Sequence, residues 1–250
     1  MTLTSHAIVL HRRAYNDRYF IAQVYSRELG RIGVLVPQGR RTASISRSSF
    51  SPLTELELEL RQSRKGGGLY LLRQSHRLSA HWRIQVESSK AAQVLFISEL
   101  LSRALGEGQA DEPTYDFIRR GIEHLETMEQ GVANFYLFFC FRLLHHLAIE
   151  PNLVRPSGYN ERMWFDLIDS SYTPYPTDVH YALPPEVARL LPVLRRLSYD
   201  RLPSLMLNRE QRSYILDWTL TYYRLHLPDF PMLRSLQILR GAHQPSGSEP

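Results

Sequence analysis

Leu53-Thr54-Glu55-Leu56-Glu57-Leu58-Glu59-Leu60 alternates apolar and acidic residues with a period of two. Side chains along a strand point to opposite faces in turn, so Leu56, Leu58 and Leu60 share one face and Glu55, Glu57 and Glu59 the other. The pattern predicts a half-buried strand whose glutamates form a solvated face that discourages edge pairing. Upstream, His6–His11 and Tyr19–Tyr25 are rich in β-branched and aromatic residues and read as two further strands. Ser26-Arg27-Glu28-Leu29-Gly30 then forms a turn, with Gly30 available for a positive φ, and Arg31–Val36 returns as a strand ending at Pro37-Gln38-Gly39. Downstream, Lys65-Gly66-Gly67-Gly68 turns the chain into a fifth strand, Leu69–Leu72. Five short strands with no helix between them point to a small closed barrel.

Beyond Ala80 the period changes to that of helices. Ser88–Leu105 places Ala92, Leu95, Phe96, Ile97, Leu100, Leu101 and Leu105 at helical spacing, and Gly106 and Gly108 end the run. Pro113–Met128 forms a second helix, with Phe117, Ile118, Ile122 and Leu125 inward. Val132–Leu147 is apolar nearly all round and reads as the central helix of a bundle, closed by Pro151. Residues 152–184 are irregular, with a short strand at Met163–Ile168. Glu186–Leu197 is helical with a kink at Pro192. Asn208 and Gln211 form a capping box that opens a helix through Leu225, and Met232–Arg240 is the last helix. The expected organisation is therefore α+β: a barrel over 1–80, a helical domain over 81–240 and a disordered tail over 241–250.

The chain's net charge of +5 hides an asymmetry. Residues 1–80 hold 13 Lys and Arg against 5 Asp and Glu, whereas 81–250 hold 17 against 20. No acidic residue lies between Glu28 and Glu55, a window that carries Arg31, Arg40, Arg41 and Arg47 among Ser and Thr hydroxyls. Forked guanidinium donors without counter-charges call for a polyanion, and nucleic acid is the commonest one. Arg12, Arg13 and Arg18 add to the same barrel, and Tyr15, Tyr19, Phe20, Tyr25 and Phe50 lie among them. Barrels of this kind hold single strands by tracking phosphates with cations while aromatic faces stack on bases. Phe20 faces opposite to Tyr19 and Tyr25, so one set fills the core and the other is free to meet a ligand. The glutamate face would repel a phosphate backbone and marks the side DNA avoids.

Catalysis and metal binding find no support in the residue pattern. Exposed glutamates on an alternating strand lack the desolvation that prepares a carboxylate for acid–base work. His145 and His146 point in different directions, with no second ligand one turn away and no carboxylate at metal spacing. Gly66-Gly67-Gly68 lacks the lysine and hydroxyl that complete a phosphate loop. The single cysteine, Cys140, sits in Phe138-Phe139-Cys140-Phe141 as a small buried hydrophobe and permits no internal disulfide. The opening residues lack a charged-then-apolar leader, and Val132–Leu144 is too short to span a bilayer and contains Arg142. A cytoplasmic protein without signal peptide, membrane contact or cofactor is the expectation.

Ala7–His11, Leu29–Gly33, Val36–Arg41, Phe96–Arg103, Phe141–Leu144 with Ile149–Leu153, Tyr222–Phe230 and Leu233–Leu236, in that order and spacing, resemble the RecO family of bacterial recombination mediators, most like its Bacteroidetes-type versions. The resemblance implies an OB-fold followed by a helical domain. It also implies binding of single- and double-stranded DNA, annealing of complementary strands, and action with RecR to help RecA replace single-strand-binding protein on gapped DNA. Arg31, Arg40 and Arg41 match basic positions of the family's barrel. Arg12, Arg13, Arg18 and Arg47 are added from charge and placement alone. Many family members carry a four-cysteine zinc site after the central helix. Pro151–Leu183 here contains no cysteine, so no zinc is expected and Trp164, Phe165 and Tyr172 are expected to pack the region. Two rival readings are a nucleic-acid-processing enzyme whose barrel delivers substrate, and an interaction scaffold whose basic patch meets an acidic protein.

Overall fold

The computed structural model describes residues 2–38, 47–62 and 68–242, with Arg47 in backbone only. Five strands, β1 (Thr2–Asn16), β2 (Tyr19–Ser26), β3 (Gly30–Pro37), β4 (Glu55–Gln62) and β5 (Leu69–Arg77), close into a barrel in the order β1-β2-β3-β5-β4. All neighbours are antiparallel except β3 and β5, which run parallel with Gly33 opposite Leu69. This five-stranded Greek-key closure is the OB-fold. Ala7, Val9, Phe20, Val24, Val34 and Leu58 fill the interior, and Phe50, from the 3₁₀ turn Arg47–Phe50, stands edge-on to Phe20 at 5.5 Å.

β1 runs well past His11, to Asn16, and the strand after the basic window begins at Glu55 rather than Leu53. Leu53 is a buried residue in the left-handed region, φ 58°, and its N–H donates to the carbonyl of Val9 at 2.7 Å. Ile8 and Leu10 are buried although they flank the inward-facing Ala7 and Val9, so this part of β1 is covered on both faces. The run Ala7-Ile8-Val9-Leu10 carries that information, because a strand with one wet face would alternate.

The outer cover comes from helices. α1 (Arg83–Val86), α2 (Ser88–Ala104), α3 (Glu112–Thr127) and α8 (Leu236–Ala242) belong with the barrel to one compact unit, made of the chain up to Thr127 and the segment from Leu233 onward. Glu126 accepts from the first N–H groups of α1, Arg83 and Ile84, each at 3.0 Å. Buried Lys90 donates to the carbonyl of Glu126 at 3.1 Å and pairs with Glu87 at 3.2 Å. Glu99 on α2 receives the N–H groups of Arg234 and Ser235 at 3.1 and 2.8 Å, which fixes the approach to α8. Burial pushes the Glu99 carboxyl up, but the Ser235 hydroxyl, which also donates to it, then those N–H groups and the charge of Arg103 outweigh burial and hold the group below its ordinary value.

The second unit, Met128–Met232, surrounds α4 (Val132–His146), whose side chains from Asn134 to Phe141 are all buried. α5 (Pro185–Ala188) and α6 (Leu191–Arg196) replace the single helix expected over Glu186–Leu197, with Pro192 in the first turn of α6 where its missing N–H costs nothing. α7 (Arg209–His226) opens on the expected capping box of Asn208 and Gln211. The last helix starts at Leu236, four residues later than expected. Residues 152–184 contain a small sheet, β6 (Trp164–Asp166), β7 (Ser171–Thr173) and β8 (Ala182–Leu183), in the order β7-β6-β8. Phe165 and Tyr172 pack edge-to-face at 5.2 Å, Tyr159 meets Tyr172 at 5.1 Å, and Trp164 is only partly covered. His226 and Tyr222 of α7 tie the sheet down through the carbonyl of Leu167 and the hydroxyl of Ser170, both at 2.7 Å. Cys140 is fully buried, and that burial pushes its thiol far above the usual range.

The β2–β3 turn is a tight junction of the barrel unit. Gly30 has φ +70°, and a Cβ there would fall on the backbone of Gln109. Gly30→Ala combines backbone strain with overpacking and is expected to destabilise the unit by roughly 2–4 kcal/mol. Urea unfolding of the variant against the parent chain measures it.

Candidate nucleic-acid interface

Two adjoining parts of the barrel carry the basic side chains. The first is a two-stranded ribbon. β1 pairs with β4 only as far as Ile8, so Arg12–Asn16 extends with β2 alone, opposite Tyr19–Ala22. Asn16 closes the ribbon, its Oδ1 accepting from the N–H groups of Arg18 and Tyr19 at 3.0 and 2.9 Å. Arg12, Arg13, Tyr15 and Arg18 are exposed along it. Arg12 stands opposite Ala22, on the face that continues the barrel interior, while Arg13 stands opposite Ile21, on the outer face. Adjacent arginines thus serve opposite sides of the ribbon.

The second part is a groove of about 550 Å³ on the outer face of β2 and β3. Arg13, Ile21, Gln23, Arg31, Gly33 and Leu69 form much of its wall, and Glu28 and Glu107 stand in it too. Strands two and three, with the loops between strands one and two and strands four and five, are where OB-folds take oligonucleotides. The groove is not uniformly basic. Arg31 is 16% exposed at its side chain, donates from Nε to the carbonyl of Leu105 at 2.8 Å, and pairs with Glu107 at 3.3 Å. Its guanidinium is committed to fastening the α2–α3 connection to β3. Glu28 accepts from Ser5 at 2.7 Å in a network with Ser26. Among the described residues, the cation of this groove without a carboxylate partner is therefore Arg13, with Arg18 further along the ribbon.

Arg40 and Arg41 lie outside the described residues, as do Gly66 and Gly67. The turn Arg47–Phe50 brings the backbone of Arg47 to the barrel through Phe50.

Two expectations about the outer surface need correction. Phe20 is the inward member of the alternating aromatics and Tyr25 faces outward, but Tyr25 is not free for a base: it is 2% exposed, stacked beside Tyr115 of α3 with ring centres 6.5 Å apart. Burial pushes its hydroxyl up to about 12. Phe50 belongs to the core. The glutamate face is only partly solvated. Glu55 is buried and accepts from the Tyr115 hydroxyl at 3.1 Å, so α3 covers one end of that face. Glu57 remains half-exposed beside His6 at 3.5 Å. In the second unit, His145 does have a nearby carboxylate, Glu150 at 3.0 Å, which also pairs with Arg195 at 3.1 Å. Among the described residues no group of three or more His, Cys, Asp or Glu is placed to hold a metal ion, and no helix is long and apolar enough to cross a membrane.

His11 is a residue the strand pattern did not single out. It lies half-buried beside the groove, opposite Gln23, and its Nδ1 is 3.2 Å from the hydroxyl of Ser102, which also donates to Gln23. Burial, then the charges of Arg103, Arg13 and Arg31, lower its pKa against the opposing pull of Glu99.

Comparisons with known proteins agree in one direction. Family models described as recombination protein O, N terminal and C terminal, match residues 1–80 and 87–236. A DNA repair protein RecO of Porphyromonas gingivalis is 38% identical over 243 residues, covering 96% of this chain and 98% of its own. One of Bacteroides fragilis is 34% identical over 236 residues, covering 93% and 96%. One of Flavobacterium psychrophilum is 24% identical over 246 residues, covering 96% and 98%.

The position of His11 gives a pH signature. A histidine whose folded pKa lies below its unfolded value binds fewer protons when folded, so its part of the stability is complete above the unfolded value. That part is lost as pH falls from about 6.5 towards the folded pKa. Denaturation midpoints measured across this range should fall with acidification, and more steeply for the parent chain than for His11→Asn.

Proposed function

Because the chain belongs to the recombination protein O family of DNA repair proteins, we propose that it is a cytoplasmic, non-enzymatic recombination mediator that engages DNA mainly through its barrel. The observation that carries this reading is the basic ribbon beside an open groove on β2 and β3, the surface through which OB-folds take oligonucleotides. Arg13 and Arg18 meet the backbone of a strand entering that surface, and Arg12 meets a strand on the reverse of the ribbon. Arg40, Arg41 and Arg47, which follow β3 in sequence, are the further residues we assign to phosphate contact. Arg31 contributes by holding the groove's floor in shape as well as by charge. A strand keeps away from Glu28 and Glu107 at one end and from Glu57 and Glu59 around the barrel, because carboxylates repel phosphates.

Screening two phosphate backbones lets complementary strands approach, which is the physical content of annealing. Both single- and double-stranded DNA are ligands on this reading, since phosphate contacts carry no sequence information. RecR and single-strand-binding protein are its protein partners, and loading of RecA on gapped DNA is the step it assists.

The reading is tested by a salt titration of single-strand binding. Six arginines each neutralising one phosphate give a slope of log affinity against log salt of roughly −4, and Arg40→Glu with Arg41→Glu should bring it to about −3. An unchanged slope in the double variant removes these two residues from the interface. Labelled DNA incubated with and without Mg²⁺ addresses catalysis: cleavage that a chelator abolishes refutes the non-enzymatic reading in favour of a processing enzyme.

A further inference from the structure

The second unit, near neutral in overall charge, contains its own concentration of arginine. Two adjoining hollows of about 630 and 360 Å³ share Arg155, Pro192 and Arg196. Arg142 and Arg195 are the other cations of the first, and Arg189 and Arg201 those of the second. Six guanidinium groups thus converge from four separate stretches of chain: α4, the segment after it, α5–α6, and the 3₁₀ turn Tyr199–Ser204.

Their internal partners are few. Arg195 pairs with Glu150 at 3.1 Å, and among the described residues it is the one member of the six joined to a carboxylate. Arg142 donates to the carbonyl of Arg195 at 3.3 Å, and Arg189 to that of Glu186 at 3.2 Å. Arg155 lies over the Tyr159 ring at 4.5 Å. Arg196 and Arg201 are exposed, and their side chains make no hydrogen bond or ion pair among the described residues. Cations in the last turn of a helix are favoured by its dipole, which accounts for Arg195 and Arg196. It does not account for Arg142, Arg155 and Arg201 meeting them. Like charges drawn into one concavity raise the local potential and call for an anion.

We propose that this arginine-lined double hollow is a second phosphate-backbone site, holding a DNA strand on the helical unit. Guanidinium forks spread along two connected hollows match phosphates that recur along a strand, better than they match a single anionic group. Leu153, Pro192, Val193 and Leu197 supply apolar surface between the charges, against which sugars and base faces pack. The inference rests on the DNA-binding reading of the barrel and adds to it a separate point of attachment. An acidic peptide is the rival occupant.

The experiment uses the full chain and a fluorescently labelled thymidine oligonucleotide. The variants are Arg196→Glu with Arg201→Glu, Arg13→Glu with Arg18→Glu, and all four together. The Arg196 and Arg201 pair is chosen because both side chains are exposed and make no hydrogen bond or ion pair among the described residues, and thermal melting checks that the variants stay folded. Arg196→Gln with Arg201→Gln provides the neutral version should charge reversal disturb packing. Loss of two phosphate contacts should make the salt slope shallower by about 1.4 in the helical-unit variant, so that a fourfold rise in salt costs it about sevenfold less affinity than it costs the parent. The four-residue variant should lose both contributions.

A parent-like slope in both helical-unit versions, with a reduced slope in the barrel variant, overturns this inference and leaves the barrel reading intact. A reduced slope in the helical-unit versions alone keeps the second site and removes the barrel residues. An oligoglutamate peptide that binds the parent but not the Arg196/Arg201 versions, while their oligonucleotide slope is unchanged, assigns the hollow to acidic protein and overturns the proposal.

Discussion

Burial of both faces of β1 is the constraint on which the first unit depends. Ala7 and Val9 point into the barrel while Ile8 and Leu10 point out, and all four are inaccessible to solvent. A barrel alone buries one of these sets, leaving several apolar side chains in water at about 2 kcal/mol each. The helices that cover the second set therefore complete the same core. That cover also decides which part of the barrel surface is left for a ligand. Where β1 is sheathed, the outer wall is closed. Where β1 outruns its pairing with β4, it emerges with β2 as an exposed ribbon carrying arginines. One strand is structural at one end and cationic at the other, and the boundary falls near His11.

The same logic explains the reassignment of several polar groups. Tyr115 places a ring beside Tyr25 and a hydroxyl on Glu55, so the helix that hides apolar surface also supplies a donor to a carboxylate it takes out of water. Arg27 does the converse from the barrel side, reaching Glu112 and Asp116 near the start of α3. Buried polar atoms are tolerated where such partners arrive with the covering element.

What was legible in the residues was whatever depends on near neighbours. The period of Leu56, Leu58 and Leu60, the turn requirement at Gly30 and the capping box of Asn208 and Gln211 are all local, and each appears as expected. Glu55 was misjudged because its exposure is set by Tyr115, sixty residues away. Tyr25 was misjudged for the same reason. Alternation says which face a side chain takes and nothing about what covers it. The arginines of the second unit were hidden differently. They are scattered through a stretch with as many acidic residues, so sums of charge cancel although the positions in space do not.

The first unit is not contiguous in sequence: the chain leaves it at Thr127 and returns at Leu233. Glu99 waits for N–H groups of Arg234 and Ser235 that lie some 135 residues further on. During synthesis the barrel strands emerge first, yet the last helix that packs on α2 leaves the ribosome after the whole second unit. The barrel is thus made before the second unit and receives part of its cover after it, and a nascent chain halted anywhere between Thr127 and Leu236 carries a barrel whose supporting helix still shows an uncovered flank. Translation of α8, rather than closure of the barrel, is the step that gives α2 its cover on this side.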